Sequence, residues 1–268
     1  MTGRLIGRRL IQRGAVASTM DEVAALALAG EPEGTVILAD EQTAGRGRSG
    51  RSWQAPAATS ILCSVLLRPA VPPSRLATLP LLVGVAVAET IESATGLPCR
   101  LKWPNDVWLG SPPVGRKVAG ILLVARSHAE SVDHALLGIG LNVNIARTDL
   151  PSGATSLQTE TGRSLDRAAL LACLLDRLDA AYLSFIAAAG LPSLNSWRAR
   201  AALLNEAVVI DVAGQRRSGI MRGVADDGAL LLEEESGIIR RIVAGEMTRG
   251  PVVAGAPQHQ PPGPSPSR

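Results

Sequence analysis

The sequence predicts an α+β protein in two folded parts. Three observations carry that expectation. Helix-periodic stretches alternate with paired β-rich runs rather than with single strands, which argues against a doubly wound sheet. From Glu206 the pattern changes to short β-rich runs broken by glycine turns, which suits a small barrel. Residues 250–268 are rich in Pro, Gly, Ser and Gln and are expected to be disordered. The expected boundaries are 1–204 for the larger part, 205–249 for the barrel and 250–268 for the tail.

Each element has a local reason. Residues 9–16 read as a first strand. Ser18 and Asp21 then form a capping box, and Val23, Leu26 and Ala27 carry a helix to a glycine stop at Gly30. Residues 35–40 are a short β-rich run, and residues 60–67 a longer one, ended by Pro69 and the Pro72-Pro73 pair. Residues 74–94 form an apolar helix stopped by Gly96. Residues 100–103 and 107–109 are strands around a Pro104-Asn105 turn, and 110–115 a hairpin tip. Residues 117–126 and 134–144 pair as a long antiparallel ribbon. Helices follow at 164–189 and 194–203. The barrel strands are expected at 208–212, 218–224, 229–233 and 238–243.

Composition excludes several functions. Apolar residues make up 46% of the 268, enough for a substantial core. One Phe, one Tyr and four Trp are too few for the aromatic platforms of single-stranded nucleic-acid binding. A net charge of +3 suits an anionic substrate or an acidic protein partner better than a duplex. Cys63, Cys99 and Cys173 are scattered and odd in number, as in a reduced, cytoplasmic protein. His128, His134 and His259 lack metal-ligand spacing, so no resident metal is expected. Arg4, Arg8, Arg9 and Arg13 break any signal peptide. The apolar stretch 76–88 is shorter than the ~20 residues of a membrane span and contains Pro80. No membrane partner is expected.

The densest motif is Gly45-Arg46-Gly47-Arg48-Ser49-Gly50-Arg51-Ser52-Trp53. Its glycines allow close backbone approach, and its guanidinium forks suit phosphate or carboxylate. The competing reading is a basic surface loop without further role. Of 27 Lys plus Arg residues only two are lysines, Lys102 and Lys117. Arginine serves wherever a positive charge is merely useful. The two compact ammonium groups stand in Lys102-Trp103-Pro104-Asn105-Asp106 and Lys117-Val118-Ala119-Gly120, which marks them as reaction-centre candidates; the competing reading is that two lysines remain by chance.

With Ser18-Thr19, Glu41-Gln42 and Gly138-Ile139-Gly140-Leu141-Asn142-Val143-Asn144, these motifs follow one another in an order that resembles biotin protein ligases. The similarity runs from about Ser18 to Arg249. It implies a catalytic domain like that of class II aminoacyl-tRNA synthetases and an SH3-like C-terminal domain. It implies formation of biotinyl-5′-AMP from biotin and ATP, with Mg2+ accompanying ATP, then transfer to a lysine of a biotin carboxyl carrier protein. It also implies Ser18, Thr19, Met20, Gln42, Arg46, Gly47, Arg48, Lys117 and Gly120 around biotin. For ATP or the adenylate it implies Gly45, Arg48, Arg51, Trp53, Lys102, Lys117 and Asn142. Lys117, Arg48 and Asp106 are the expected catalytic residues. Lys117 would steady the carboxylate and phosphorus, and Asp106 would orient or deprotonate the incoming amine.

Structural readings stand beside these: a helix cap for Ser18, a core aromatic for Trp53, a turn residue for Asp106 and a strand residue for Asn142. Met20 stands where the family has Asn, Val124 where it has Glu, and Leu62 where it has an aromatic. Each departure bears on biotin affinity. Only seventeen residues precede Ser18, so no DNA-reading domain and no nucleic-acid partner are expected. A lipoate or octanoate ligase lacks the glycine-arginine loop and the Lys-Trp-Pro-Asn-Asp run. A non-catalytic biotin sensor would need a DNA-reading domain or a lost lysine. Either a monomer or a homodimer fits.

Overall fold

The structure, a computed structural model, describes residues 4–110 and 115–250. The expected tail after Gly250, and residues 111–114 of the expected hairpin tip, lie outside the described residues. The chain opens with β1 (Leu10–Val16) and α1 (Thr19–Leu28). Ser18 caps α1, its hydroxyl accepting from the Met20 N–H at 3.3 Å. The reciprocal half expected of the capping box goes elsewhere: the Asp21 carboxylate is drawn to Arg46 at 2.7 Å. Next come β2 (Val36–Gln42), β3 (Ser60–Leu67) and α2 (Leu79–Thr95). The strands β4 (Cys99–Lys102), β5 (Asp106–Leu109), β6 (Arg116–His128) and β7 (Ser131–Asn142) follow, then α3 (Leu157–Thr161), α4 (Arg167–Ala187) and α5 (Asn195–Ala199).

Seven strands form one sheet in the order β1-β2-β3-β7-β6-β5-β4. Only β1 and β2 run parallel; the other pairs are antiparallel. Every residue of β3 is buried, because helices cover both faces. Ile61, Val65 and Leu67 join the core shared with α2 and α4, whereas Leu66 joins Met20, Val23 and Ala27 of α1. A 3₁₀ turn at Pro73–Thr78 leads into α2, and Gly96 ends it with φ of +73°. This Pro73–Thr95 stretch is long and apolar enough to cross a membrane, yet most of it is buried inside the fold.

The helix expected at 194–203 ends at Ala199. β4 captures the chain that follows: Leu101 N–H donates to Arg200 O, and Ala202 N–H to Leu101 O, each at 2.8 Å. Tertiary pairing overrides the helical pattern there.

The C-terminal part is a five-stranded antiparallel sheet, as expected of a small SH3-like domain. It comprises β8 (Ala207–Val212), β9 (Gln215–Val224), β10 (Leu230–Glu233), β11 (Ile239–Ile242) and β12 (Glu246–Arg249). Their order is β11-β10-β9-β8-β12. β12, absent from the four expected runs, has no β-branched alternation and exists by pairing with β8. The two parts interlock. The buried Trp103 indole N–H donates to Gly228 O at 3.0 Å, and Arg198 reaches Val224 O at 3.1 Å.

Candidate active site

The glycine-arginine loop is a closed, shaped turn. Trp53 N–H donates to Gly45 O at 2.9 Å, and Gly47 N–H to Arg51 O at 2.7 Å. A Cβ at Gly45 would lie 2.3 Å from Trp53 O, so only glycine allows this closure. The Trp53 ring then lies on two further glycines. A Cβ at Gly140 would come within 2.4 Å of the ring, and one at Gly120 within 2.9 Å. Side-chain-free strand surface on β6 and β7 thus makes the seat for this indole.

Lys117 is brought to the same place by an irregularity in pairing. Between β5 and β6, Asp106 faces Gly120 and Val107 faces Ala119, but Trp108 faces Lys117. Val118 is the extra residue of a bulge. Strict alternation would send Lys117 to the face opposite Gly120. The bulge turns it to the Asp106 face, while Val118 stays fully buried. The Lys117 backbone is clamped on its other side, its N–H donating to Gly153 O at 2.9 Å and its carbonyl accepting from Thr155 N–H at 2.8 Å.

The chain's two lysines meet at one carboxylate. Lys117 Nζ lies 2.7 Å from Asp106 Oδ1, and Lys102 Nζ lies 3.8 Å from Asp106 Oδ2. Each ammonium also faces an indole: Lys117 Nζ is 5.5 Å from the Trp53 ring centre, and Lys102 Nζ 5.3 Å from that of Trp108. Burial lowers the Lys102 pKa below the usual lysine value, opposed by Asp106 and reinforced by the nearby cations. Burial likewise lowers that of Arg48, again against the pull of Asp106. Arg48 reaches Asn105 Oδ1 at 3.4 Å and Gly245 O at 3.3 Å. Arg51 pairs with Glu246 of β12. Cations of the loop are therefore held partly by the C-terminal sheet.

Three clefts converge on Lys117 and Trp53. The first is lined by Ser18, Thr19, Met20, Gln42, Arg46, Gly47, Arg48 and Gly120, with Gly138 and Gly140 on β7. At its polar end Gln42 Oε1 accepts from Thr19 N–H at 2.8 Å and Thr19 Oγ1 at 3.0 Å. The Gln42 amide NH₂ is thereby turned to act as donor. Thr19 Oγ1 also lies 2.8 Å from Ser64 Oγ. The second cleft is lined by Trp53, Gln54, Asn142 and residues 151–154. It carries a donor and an acceptor, Trp53 Nε1 and Asn142 Oδ1, both buried and without a hydrogen-bond partner among the described residues. The third is lined by Arg48, Arg51, Lys102, Asp106 and, from β12, Glu246, Met247 and Thr248.

The described residues hold no group of three His, Cys, Asp or Glu fit for a metal ion. Asp106 and Glu246, the carboxylates of the third cleft, already face cations.

Residues 15–142 match the biotin/lipoate A/B protein ligase family, and residues 203–250 the biotin protein ligase C-terminal domain. A bifunctional ligase/repressor of Bacillus spizizenii is 33% identical over 250 residues, covering 92% of this chain and 75% of the relative. The chain belongs to the biotin protein ligase family. A biotin–[acetyl-CoA-carboxylase] ligase of Paracoccus denitrificans is 36% identical over 208 residues, covering 75% of this chain and 85% of that one. A solved structure of the Aquifex aeolicus biotin protein ligase in complex with biotin and ATP superposes with a TM-score of 0.76. It is 31% identical and covers 91% of this chain and all of that one.

The residues that this family resemblance implies around biotin all line the first cleft. Those implied for the nucleotide divide: Asn142 lies in the second cleft, Arg51 and Lys102 in the third, and Trp53 and Lys117 in both. Gly45 lines none of the three and instead shapes the base of the loop. Arg46 and Arg51, expected on anions, are paired here with Asp21 and Glu246. Among the departures, Met20 lines the first cleft. Its sulfur fits against Gly138, where a Cβ would approach to 2.9 Å. Leu62 is buried opposite Gly140, and Val124 is exposed outside the cleft linings.

Sequence reasoning missed Ser64, Asn105 and Glu246. Ser64 had a signal, a hydroxyl inside an otherwise apolar, continuous strand. Glu246 had none, being nearly two hundred positions from its partner Arg51.

Proposed function

We propose that this protein joins biotin to ATP as biotinyl-5′-AMP and passes the biotinyl group to a lysine of a biotin carboxyl carrier protein. The observation that carries this reading is the position of Lys117 Nζ where all three clefts meet, 2.7 Å from Asp106. Biotin takes the first cleft, its ureido group meeting Ser18, Thr19 and Gln42 and its carboxylate pointing to Lys117, Arg46 and Arg48. The adenosine takes the second, where Asn142 Oδ1 and Trp53 Nε1 await partners. The phosphates take the third, among Arg48, Arg51 and Lys102.

In the first step a carboxylate oxygen attacks the α-phosphorus, and the bond to pyrophosphate breaks. Both reactants are anions, so the barrier contains their repulsion. Lys117 lowers it by standing between them, with Arg46 and Arg48 beside it. Magnesium enters as part of the substrate MgATP, with its phosphates as ligands.

In the second step a neutral amine attacks the acyl carbon, AMP leaves with the bonding electrons, and the nitrogen gives up a proton. Lys117 turned toward the phosphoryl oxygens leaves Asp106 free to take it. The loop, held to the C-terminal part through Arg48 at Gly245 O and Arg51 at Glu246 of β12, keeps water from the mixed anhydride.

Incubation with biotin, MgATP and a carrier domain tests this reading. Pyrophosphate release and a biotinylated carrier lysine, undiminished by excess lipoate, are expected. A lipoylated carrier in place of a biotinylated one would overturn it.

A further inference from the structure

The proposed mechanism leaves one indole unused. Trp108 on β5 lines none of the three clefts. Its ring nevertheless sits 5.3 Å from Lys102 Nζ, inside cation–π range. The β4–β5 register explains the contact. Lys102 stands opposite Asp106, and Arg100 opposite Trp108, so the four side chains share one sheet face and Lys102 meets Trp108 on the diagonal. The ring is held from behind at Gly115, where a Cβ would come within 2.8 Å of it. Its Nε1 is buried and has no hydrogen-bond partner among the described residues. The contact this indole makes with Lys102 is through the face of its ring.

We propose that Trp108 is a positioning residue that holds the Lys102 ammonium, in place and charged, at the phosphate end of the nucleotide cleft. This rests on the reading above, in which the third cleft receives the triphosphate. Lys102 needs such help. Its side chain is only 16% exposed. It faces Lys117 from β6 and Arg48 and Arg51 from the loop, all of which disfavour its charge. Arg100 is the other cation of its sheet face. Against them stand Asp106, which Lys117 engages at the shorter distance of 2.7 Å, and Glu246, already paired with Arg51. The electron-rich face of Trp108 supplies attraction that does not compete for the Asp106 carboxylate. Lys117 and Trp53 make the matching pair across the same carboxylate.

The test is adenylate formation followed against pH, with KM measured separately for MgATP and biotin. Trp108→Met keeps apolar bulk and removes the π face. It is expected to raise KM for MgATP about three- to thirtyfold, the strength of one partly buried cation–π contact. KM for biotin stays unchanged, and the alkaline loss of activity moves to lower pH. Trp108→Phe, which restores a π face without the N–H, returns both values toward wild type. In a K102R background, where the cation does not titrate, Trp108→Met no longer moves the alkaline limb. Gly115→Ala, which displaces the ring without deleting it, reproduces the Trp108→Met profile and serves if that variant does not fold.

Wild-type MgATP KM and pH profile in Trp108→Met overturn the proposal, as does equal damage from Met and Phe. Lys102→Ala separates the two levels. If it raises KM for MgATP while Trp108→Met does not, the nucleotide reading stands and the role of Trp108 falls. If Lys102→Ala also leaves MgATP binding unchanged, both fall.

Discussion

Lys117 Nζ and Asp106 Oδ1 lie 2.7 Å apart, and the same carboxylate faces Lys102 at 3.8 Å. One negative charge thus steadies two positive ones, of which Lys117 stands at the junction of three clefts. Asp106→Asn removes it and leaves two close ammonium groups uncompensated. Carrier labelling is expected to fall about 10²-fold or more, because the amine loses its proton acceptor. Pyrophosphate release is expected to fall less. Quantifying both products in one quenched reaction checks this; equal losses would remove Asp106 from the transfer step.

Arg48 ties the glycine-arginine loop to Asn105 at 3.4 Å and to Gly245 O at 3.3 Å. Arg48→Gly cuts both ties and adds backbone freedom. Biotinyl-AMP is expected to escape into solution, where nearby amines of unrelated proteins take the biotinyl group. Chromatography of the reaction medium checks this, the expected outcome being free adenylate well above the wild-type level.

Gly140 gives the Trp53 ring its seat, with 2.4 Å left for any Cβ. Strand pairing with Leu62 on β3 and Gly120 on β6 fixes the backbone, so the ring must yield. Gly140→Ala is expected to cost about 1–3 kcal/mol of stability as an overpacking change. It also separates Trp53 from Lys117 and slows adenylate formation. Urea unfolding and single-turnover kinetics measure the two effects.

Glu92 near the end of α2 joins three segments. It accepts from Arg200 at 2.8 and 3.1 Å and from Cys99 N–H at 3.1 Å. Its hydrogen bond with Arg200 does most to hold its pKa below the usual carboxylate value, against the opposing effect of burial. A depressed folded-state value means the stabilisation is present above the unfolded pKa of ~4.3 and is lost as pH falls through the folded one. Glu92→Gln is expected to cost about 1–3 kcal/mol near neutral pH. The gap between variant and wild type should close as the solution is acidified below about pH 4. Denaturant midpoints at pH 7 and in that acid range check the sign.

Much of this site is legible in the sequence. The two lysines stood out against an arginine background, and both reach the Asp106 that the same short motif supplies. The glycine loop, the continuous strand at 60–67 and the Ser18 cap followed from local chemistry. Other features depend on tertiary pairing. The bulge at Val118 exists only against β5, and it decides which face Lys117 takes. The truncation of the helix at Ala199 comes from capture by β4. Glu246 reaches Arg51 only through the packing of the C-terminal sheet against the glycine-arginine loop. Met20 stands where the family resemblance leads one to expect Asn. The fold shows it as an apolar wall whose sulfur needs the missing side chain of Gly138.

The most direct measurement is single-turnover adenylate formation by Lys117→Ala, with biotin binding and thermal unfolding measured on the same sample. Lys117 is one-third exposed in a cleft, so its removal leaves the core intact. A rate lower by about 10²–10³-fold, with unfolding unchanged and biotin still bound, is the expected result. A wild-type rate from a folded, biotin-binding Lys117→Ala protein would contradict the role assigned to this ammonium.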